Sequence, residues 1–161
     1  MSQIVTANSR QALERAKLFL GKARECPIES RVDFEAFLEA SIIFARAAIQ
    51  RVKSSYENKT GFKEWWDSLL GDPSVNFFRI ERNWILKEGP PKIGQRIIMS
   101  TIKIEPKIGE QTPISDEATN KHFYASDLYY YEDPSIPATE TVERHLIVLE
   151  KHITEFIETL S

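Results

Sequence analysis

Apolar positions fall at helical spacing over most of the chain. In residues 9–25 (SRQALERAKLFLGKARE), Ala12, Ala16, Phe19, Leu20 and Ala23 recur at steps of three and four, which marks one buried helix face. Cys26-Pro27 ends this helix, because the residue before a proline is pushed out of the α region. Residues 31–57 predict the longest helix. Ser30 is placed to cap it with Asp33 following in the first turn, and Phe34, Phe37, Leu38, Ser41, Ala45, Ala48, Ile49, Val52 and Tyr56 share one face. The small residues Ala45, Ala47 and Ala48 leave room for a neighbouring helix. A short helix over Phe62–Leu70 stops at Gly71, with Trp65 and Trp66 as packing residues.

The next stretch, Asp72 to Pro91 (DPSVNFFRIERNWILKEGPP), reads as a helix with its start and stop written in. Asp72 suits the N-cap and Pro73 the first helical position, Gly89 suits a left-handed C′ position, and Pro90-Pro91 prevents continuation. Its surface is apolar nearly all round, so it is expected to be buried or at an interface. Arg79, Asn83 and Lys87 fall together in the one apolar gap, and Arg82 projects between Phe78 and Leu86, which predicts at least partial burial.

The period then changes. Residues 97–105 (IIMSTIKIE) are β-branched and partly alternating, and 122–131 (HFYASDLYYY) form a second strand-like run. The link Pro106–Lys121 is long for a hairpin. A last helix over 138–160 carries Val142, Leu146, Leu149, Ile153, Phe156 and Leu160 as a core or dimer seam. The expected fold is mainly α, a single bundle of about five helices over 1–161, with residues 93–134 as a β-hairpin insertion before the C-terminal helix.

Composition narrows the classes. A single cysteine, Cys26, excludes a disulfide framework and a Cys-rich zinc site. No apolar run is long enough to span a bilayer, and the start MSQIVTANSR lacks the form of a signal peptide, so a cytoplasmic protein with no membrane partner is expected. Net charge is −3, but unevenly spread. Residues 79–107 carry seven Lys/Arg against three Glu, a net of +4, while 108–161 carry three against eleven, a net of −8. Pairing of these two segments inside one fold is the preferred reading, and a surface for an anionic partner is the other.

Candidate chemistry centres on Arg82. A guanidinium among apolar groups must be paired or fully hydrogen-bonded. Most often the partner is a carboxylate on a neighbouring helix; the functional alternative is a phosphate held in a cleft. Lys87 in the last turn also complements the helix dipole. His145 and His152 lie two turns apart, too far to chelate one ion, and neither a metal nor a cofactor is expected. The aromatic run Phe123, Tyr124, Tyr129, Tyr130 and Tyr131 is read as sheet packing ahead of a stacking platform for bases.

The segment FFRIERNWILKEGPP resembles the signature helix of the HEPN superfamily, the higher eukaryote and prokaryote nucleotide-binding domains. That signature is an Arg, a polar residue that is often Asn, and a His a few residues later near the helix end. Arg82 and Asn83 match its start, and Lys87 stands where the His would be. The resemblance covers the helical two-thirds of the chain. It implies a helical bundle, commonly a homodimer, with Arg79, Arg82, Asn83 and Lys87 lining a site for a nucleotide or an RNA phosphate. Active members are metal-independent ribonucleases, many of them toxins or defence effectors, in which the Arg and His promote attack of a 2′-hydroxyl on the adjacent phosphate. An imidazole exchanges protons near neutrality, whereas an unperturbed lysine (pKa ~10.4) stays protonated. The substitution therefore implies a non-catalytic or weakly catalytic relative, with no catalytic residue assigned, unless the fold carries His145 to Arg82. A protein-interaction module without a small ligand, such as an immunity, antitoxin or scaffold component, is the alternative; an active ribonuclease is the third reading.

Overall fold

The structure, a computed structural model, describes the backbone of residues 2–103 and 120–160, with side chains over 8–97 and 127–160. Five helices and two strands follow one another as α1 (Ser2–Glu25), α2 (Arg31–Tyr56), α3 (Phe62–Leu70), α4 (Pro73–Lys87), β1 (Ile93–Lys103), β2 (Asn120–Tyr130) and α5 (Ala138–Thr159). This is the mainly α bundle with a hairpin before the last helix that the periodicity predicts. No helix among the described residues is long and apolar enough to cross a membrane.

The bundle is built on the pairing of α1 with α2. Small residues meet along the seam: Ala12, Ala16, Ala45 and Ala48 are all fully buried, and the buried Ser41 hydroxyl donates to the Ala16 carbonyl at 2.8 Å. That bond satisfies a hydroxyl that would otherwise be costly so deep in the core. The Ser30 side chain makes no cap bond, contrary to expectation. α1 begins seven residues before the periodic pattern does, since extending an existing helix costs far less than nucleating one.

α5 closes the bundle with Val142, Leu146, Leu149 and Ile153 in the core, so these positions of the seam belong to the bundle and not to a second copy. Two contacts tie α5 to α1 at the surface: Lys17 to Glu150 at 2.6 Å, and the Arg24 fork to both oxygens of Glu143 at 3.0 and 2.6 Å. Among the described residues, the acidic last helix is thus partly neutralised by α1. Across the two charge segments the described contact is Arg96 with Asp127, at 2.6 and 2.9 Å. Trp65 stacks on Phe156 at 4.2 Å, beside Phe62 and Tyr56, which confirms a packing role for α3.

The strands pair antiparallel, with Ile93 opposite Tyr130 and Lys103 opposite Asn120. β1 starts four residues earlier than its β-branched run. Buried Ile93 anchors it, the Arg31 guanidinium donates to the Ile93 carbonyl at 2.9 Å, and the polar residues after Ile93 are drawn into the ladder. Most of the predicted link Pro106–Lys121 lies outside the described residues, as do the side chains of His122, Phe123 and Tyr124. Of the aromatic run, Tyr130 is buried against Phe77 while Tyr131 is exposed.

α4 lies across α2 and α5, and its start is clamped. Asp72 is the N-cap and accepts from the Ser74 backbone N–H at 2.8 Å; its other oxygen meets His152 Nε2 of α5 at 2.9 Å. Burial works against the Asp72 charge, but these bonds outweigh it and hold the carboxyl below the ordinary aspartate range. At the other end Glu88 is the C-cap, and Gly89 follows with φ of 151°, positive but outside the compact left-handed helical region.

Replacing Asp72 by Ala removes both the cap and the link to α5. We expect a loss of about 1–2 kcal/mol in urea unfolding at neutral pH. Because the folded-state pKa is depressed, this contribution is present above the ordinary value of 3.8 and fades as pH falls through the lower, folded one. The difference between wild type and D72A should therefore shrink in strong acid.

Candidate anion-binding site

The rotation of α4 decides what it shows. Phe77, Phe78, Glu81, Trp84 and Ile85 form its inward arc, and Arg79, Ile80, Arg82, Asn83, Leu86 and Lys87 are exposed. Ile80 and Leu86 are 56% and 55% exposed, so the helix is not buried on all sides as its composition suggests. The strip of Arg79, Asn83 and Lys87 forms as predicted, one turn apart each and open to solvent.

Arg82 departs from expectation. It is exposed, and its recorded partner is Asn83, whose Oδ1 accepts from Nη1 at 3.3 Å. Arg82 lies ~100° round the helix from Glu81. That puts it at the edge of the inward arc, where a long side chain carries its head out to water. The ionisable group turned inward is Glu81. Its Oε2 is buried without a hydrogen-bond partner among the described residues, as is the hydroxyl of Tyr130. Burial, and then the charge of Glu132, push the Glu81 carboxyl up, with Lys92 opposing. Burial pushes the Tyr130 phenol well up too, helped by Glu81 and Glu39, and Glu39 is itself raised by burial and Glu35. Acidic groups thus cluster under one flank of α4.

Cations cluster on the other flank. Arg46 of α2 is half-buried, and its Nη1 is cut off from solvent without an acceptor. Its guanidinium is made less basic first by burial and then by the charges of Arg79 and Arg82 across the α2–α4 contact. The ion pairs among the described residues leave Arg46, Arg79, Arg82 and Lys87 without a carboxylate. The neighbouring-helix carboxylate expected for Arg82 is therefore not found among the described residues. Like charges brought together and left unpaired are costly unless an anion joins them.

Arg46 escaped the sequence reading. The available signal was a cation inside an otherwise apolar run, IIFARAAI, two turns after Glu39 on the same helix face. Only the docking of α4 brings the charges of Arg79 and Arg82 to act on Arg46.

His145 does not reach Arg82. Its ring stacks on Phe77 at 4.2 Å and its Nδ1 lies 2.9 Å from Ser74 Oγ, at the first turn of α4. Burial lowers its pKa against the pull of Asp133 and Asp72. His145 and His152 thus serve the clamp on α4. Groups of three or more metal-ligating side chains do not occur among the described residues. The exposed surface of α4 offers guanidinium, amide and ammonium donors to solvent, and the described contacts bring no imidazole beside Arg82. No family model matches the chain, and neither the curated proteins nor the solved structures contain a match.

Replacing Arg46 by Met keeps most of the stem packing and removes the unpaired charge. We expect R46M to be as stable as wild type or more so, by up to about 1 kcal/mol, in phosphate-free buffer. Added sulfate should raise the melting temperature of wild type more than that of R46M. A loss above about 1 kcal/mol in R46M would mean that the guanidinium already has an acceptor.

Proposed function

We propose that this protein is a HEPN-like, non-catalytic or weakly catalytic binder of a nucleotide or RNA phosphate, with Arg79, Arg82, Asn83 and Lys87 on α4 as its ligand groups. The observation that supports this reading is the exposed strip of Arg79, Arg82, Asn83 and Lys87 on α4, whose cations have no carboxylate ion pair among the described residues. Guanidinium forks suit phosphate oxygens through paired charge-assisted bonds. The Asn83 amide, already touching Arg82, orients that fork and offers its own donors. Lys87, one turn beyond Asn83, adds charge along the same strip.

Binding and catalysis separate at Lys87. Cations at a phosphate lower the energy of a developing negative charge, but cleavage also needs a group that takes the 2′-hydroxyl proton. The described hydrogen-bond partner of Arg82 is the Asn83 amide, which cannot take that proton, so the expected behaviour is retention of the phosphate without turnover. Exposed Ile80 and Leu86 flank the cations, and an apolar rim of this kind suits a homodimer that brings two copies of the strip together. A cytoplasmic location accords with this role.

Calorimetric titration with mononucleotides and short single-stranded RNA at low salt tests the reading. Wild type should bind, affinity should fall steeply between roughly 50 and 200 mM salt, and R79A/R82A should bind about tenfold more weakly or worse. An absence of binding by wild type would favour the protein-interaction module instead. RNA turnover that is lost in both R82A and K87A would make the protein an active ribonuclease. For the dimer, light scattering at micromolar concentration should give twice the chain mass, and I80D/L86D should give the monomer.

A further inference from the structure

We infer that the cavity where α1, α2, β2 and α5 meet is a binding site for a small neutral molecule, largely apolar with one acceptor oxygen (an alcohol or ketone of about eight heavy atoms), held by Thr139. The site is separate from α4 and does not rest on the phosphate-binding reading.

The cavity has a volume of about 170 Å3. An apolar space of roughly 150 Å3 takes a benzene-sized guest. Its walls include Ala23 near the end of α1, Phe34 in the first turn of α2 and Leu128 of β2, all buried, while Arg24 and Pro27 line it and are exposed. A guest therefore has a way in from solvent and apolar surface to cover.

One buried donor on this wall has no acceptor. Thr139, the second residue of α5, is 9% exposed and lines the cavity. Its hydroxyl makes no hydrogen bond with any described residue, and it is not sealed from solvent as the Tyr130 hydroxyl is. Pro137 stands at the N-cap and its side chain makes no cap bond. The Pro137 carbonyl accepts from the Glu140 and Thr141 N–H groups at 3.0 and 3.1 Å, which leaves the Thr139 N–H among the orphan donors of the helix start. Two donors of one residue beside a cavity match one acceptor oxygen.

Charge selects the rest of the guest. The Arg24 fork is engaged by Glu143, and Asp127 is engaged by the Arg96 fork, so both charged walls are neutralised by their own partners. Cys26, the single cysteine of the chain, also lines the cavity. Burial, and then the charges of Asp33 and Glu25, push its thiol up, so it faces a guest as a neutral S–H in a negative potential. A carboxylate would meet that potential, and an ammonium would meet the positive start of α5 and bring no acceptor for Thr139. A neutral oxygen avoids both penalties.

The test uses the full chain and its one thiol. Benzyl alcohol, toluene, benzoate and benzylammonium share a ring and differ in oxygen and charge. The rate of Cys26 modification by Ellman's reagent is measured at one pH against the concentration of each. Benzyl alcohol at about twice its Kd should slow modification about threefold, and that Kd should be about fivefold lower than for toluene. Benzoate and benzylammonium should protect less than benzyl alcohol at equal concentration. T139V, which keeps the shape and removes the hydroxyl, should bind toluene as wild type does and lose the advantage of the alcohol. In the wild type, benzyl alcohol should shift the amide resonances of Thr139 and Leu128 and leave those of Arg79 and Lys87 in place. No protection by benzyl alcohol overturns the inference. So does protection by either charged molecule that equals that of the alcohol, an alcohol advantage that survives in T139V, or amide shifts at α4 without shifts at the cavity. The wild-type arms need no variant, so a misfolded T139V does not remove the test.

Discussion

The docking of α4 governs everything that this molecule presents. Phe78, fully buried, and Val75, 1% exposed, set the depth of the helix, and the N-cap aspartate sets its start. Asp72 serves two structures at once. One oxygen closes the first turn of α4 and the other holds His152 of α5, while His145 one face along engages Ser74 and stacks on Phe77. A helix pinned by its core residues and by its first turn has no rotational freedom left. From that constraint it follows that Glu81 turns in, that Arg79, Asn83 and Lys87 turn out, and that Arg82 stands at the margin.

The same constraint separates charge across the helix. The charge of Arg46 is opposed by those of Arg79 and Arg82, and the buried Tyr130 hydroxyl by those of Glu81 and Glu39. Direct pairing between the two sets would have been the stabilising arrangement, and the described contacts do not contain it. Unpaired buried polar atoms such as Arg46 Nη1, Glu81 Oε2 and Tyr130 Oη each act against folding. Groups of this kind concentrate where a protein gives up stability for a binding surface. That is why the cluster, rather than any cavity, carries the functional reading.

Among the described side chains, His145 and His152 are both used away from Arg82. His145 and His152 lie on the face of α5 that meets the beginning of α4, and both are committed to fixing its position. An arginine and a lysine on an exposed helix hold a phosphate by charge and by fork geometry, with little means to move its protons. On the proposed reading, the chemistry of such a surface is recognition.

Local rules were enough for much of the architecture. Steps of three and four in the apolar pattern, Asp72-Pro73 at a helix start, Gly71 and Pro90-Pro91 at helix ends, and the β-branched run after Ile97 place five helices and a hairpin in order, because caps, breakers and periodicity act within a few residues of each other. The strip of Arg79, Asn83 and Lys87 was legible for the same reason: helical spacing alone puts those residues on one face. What lay beyond reach was everything set by contact between distant segments. Arg82 and Glu81 are neighbours in sequence, and composition suggested the wrong one as buried. Arg46 went unremarked in a core helix, and only the packing of α4 sets the charges of Arg79 and Arg82 against its own. Strand β1 began at Ile93 because Arg31 and Tyr130 hold it there. Backbone propensity determines which segments are helices. Only the packing of one helix on another determines which side chains meet, since burial and charge depend on the neighbours that folding supplies.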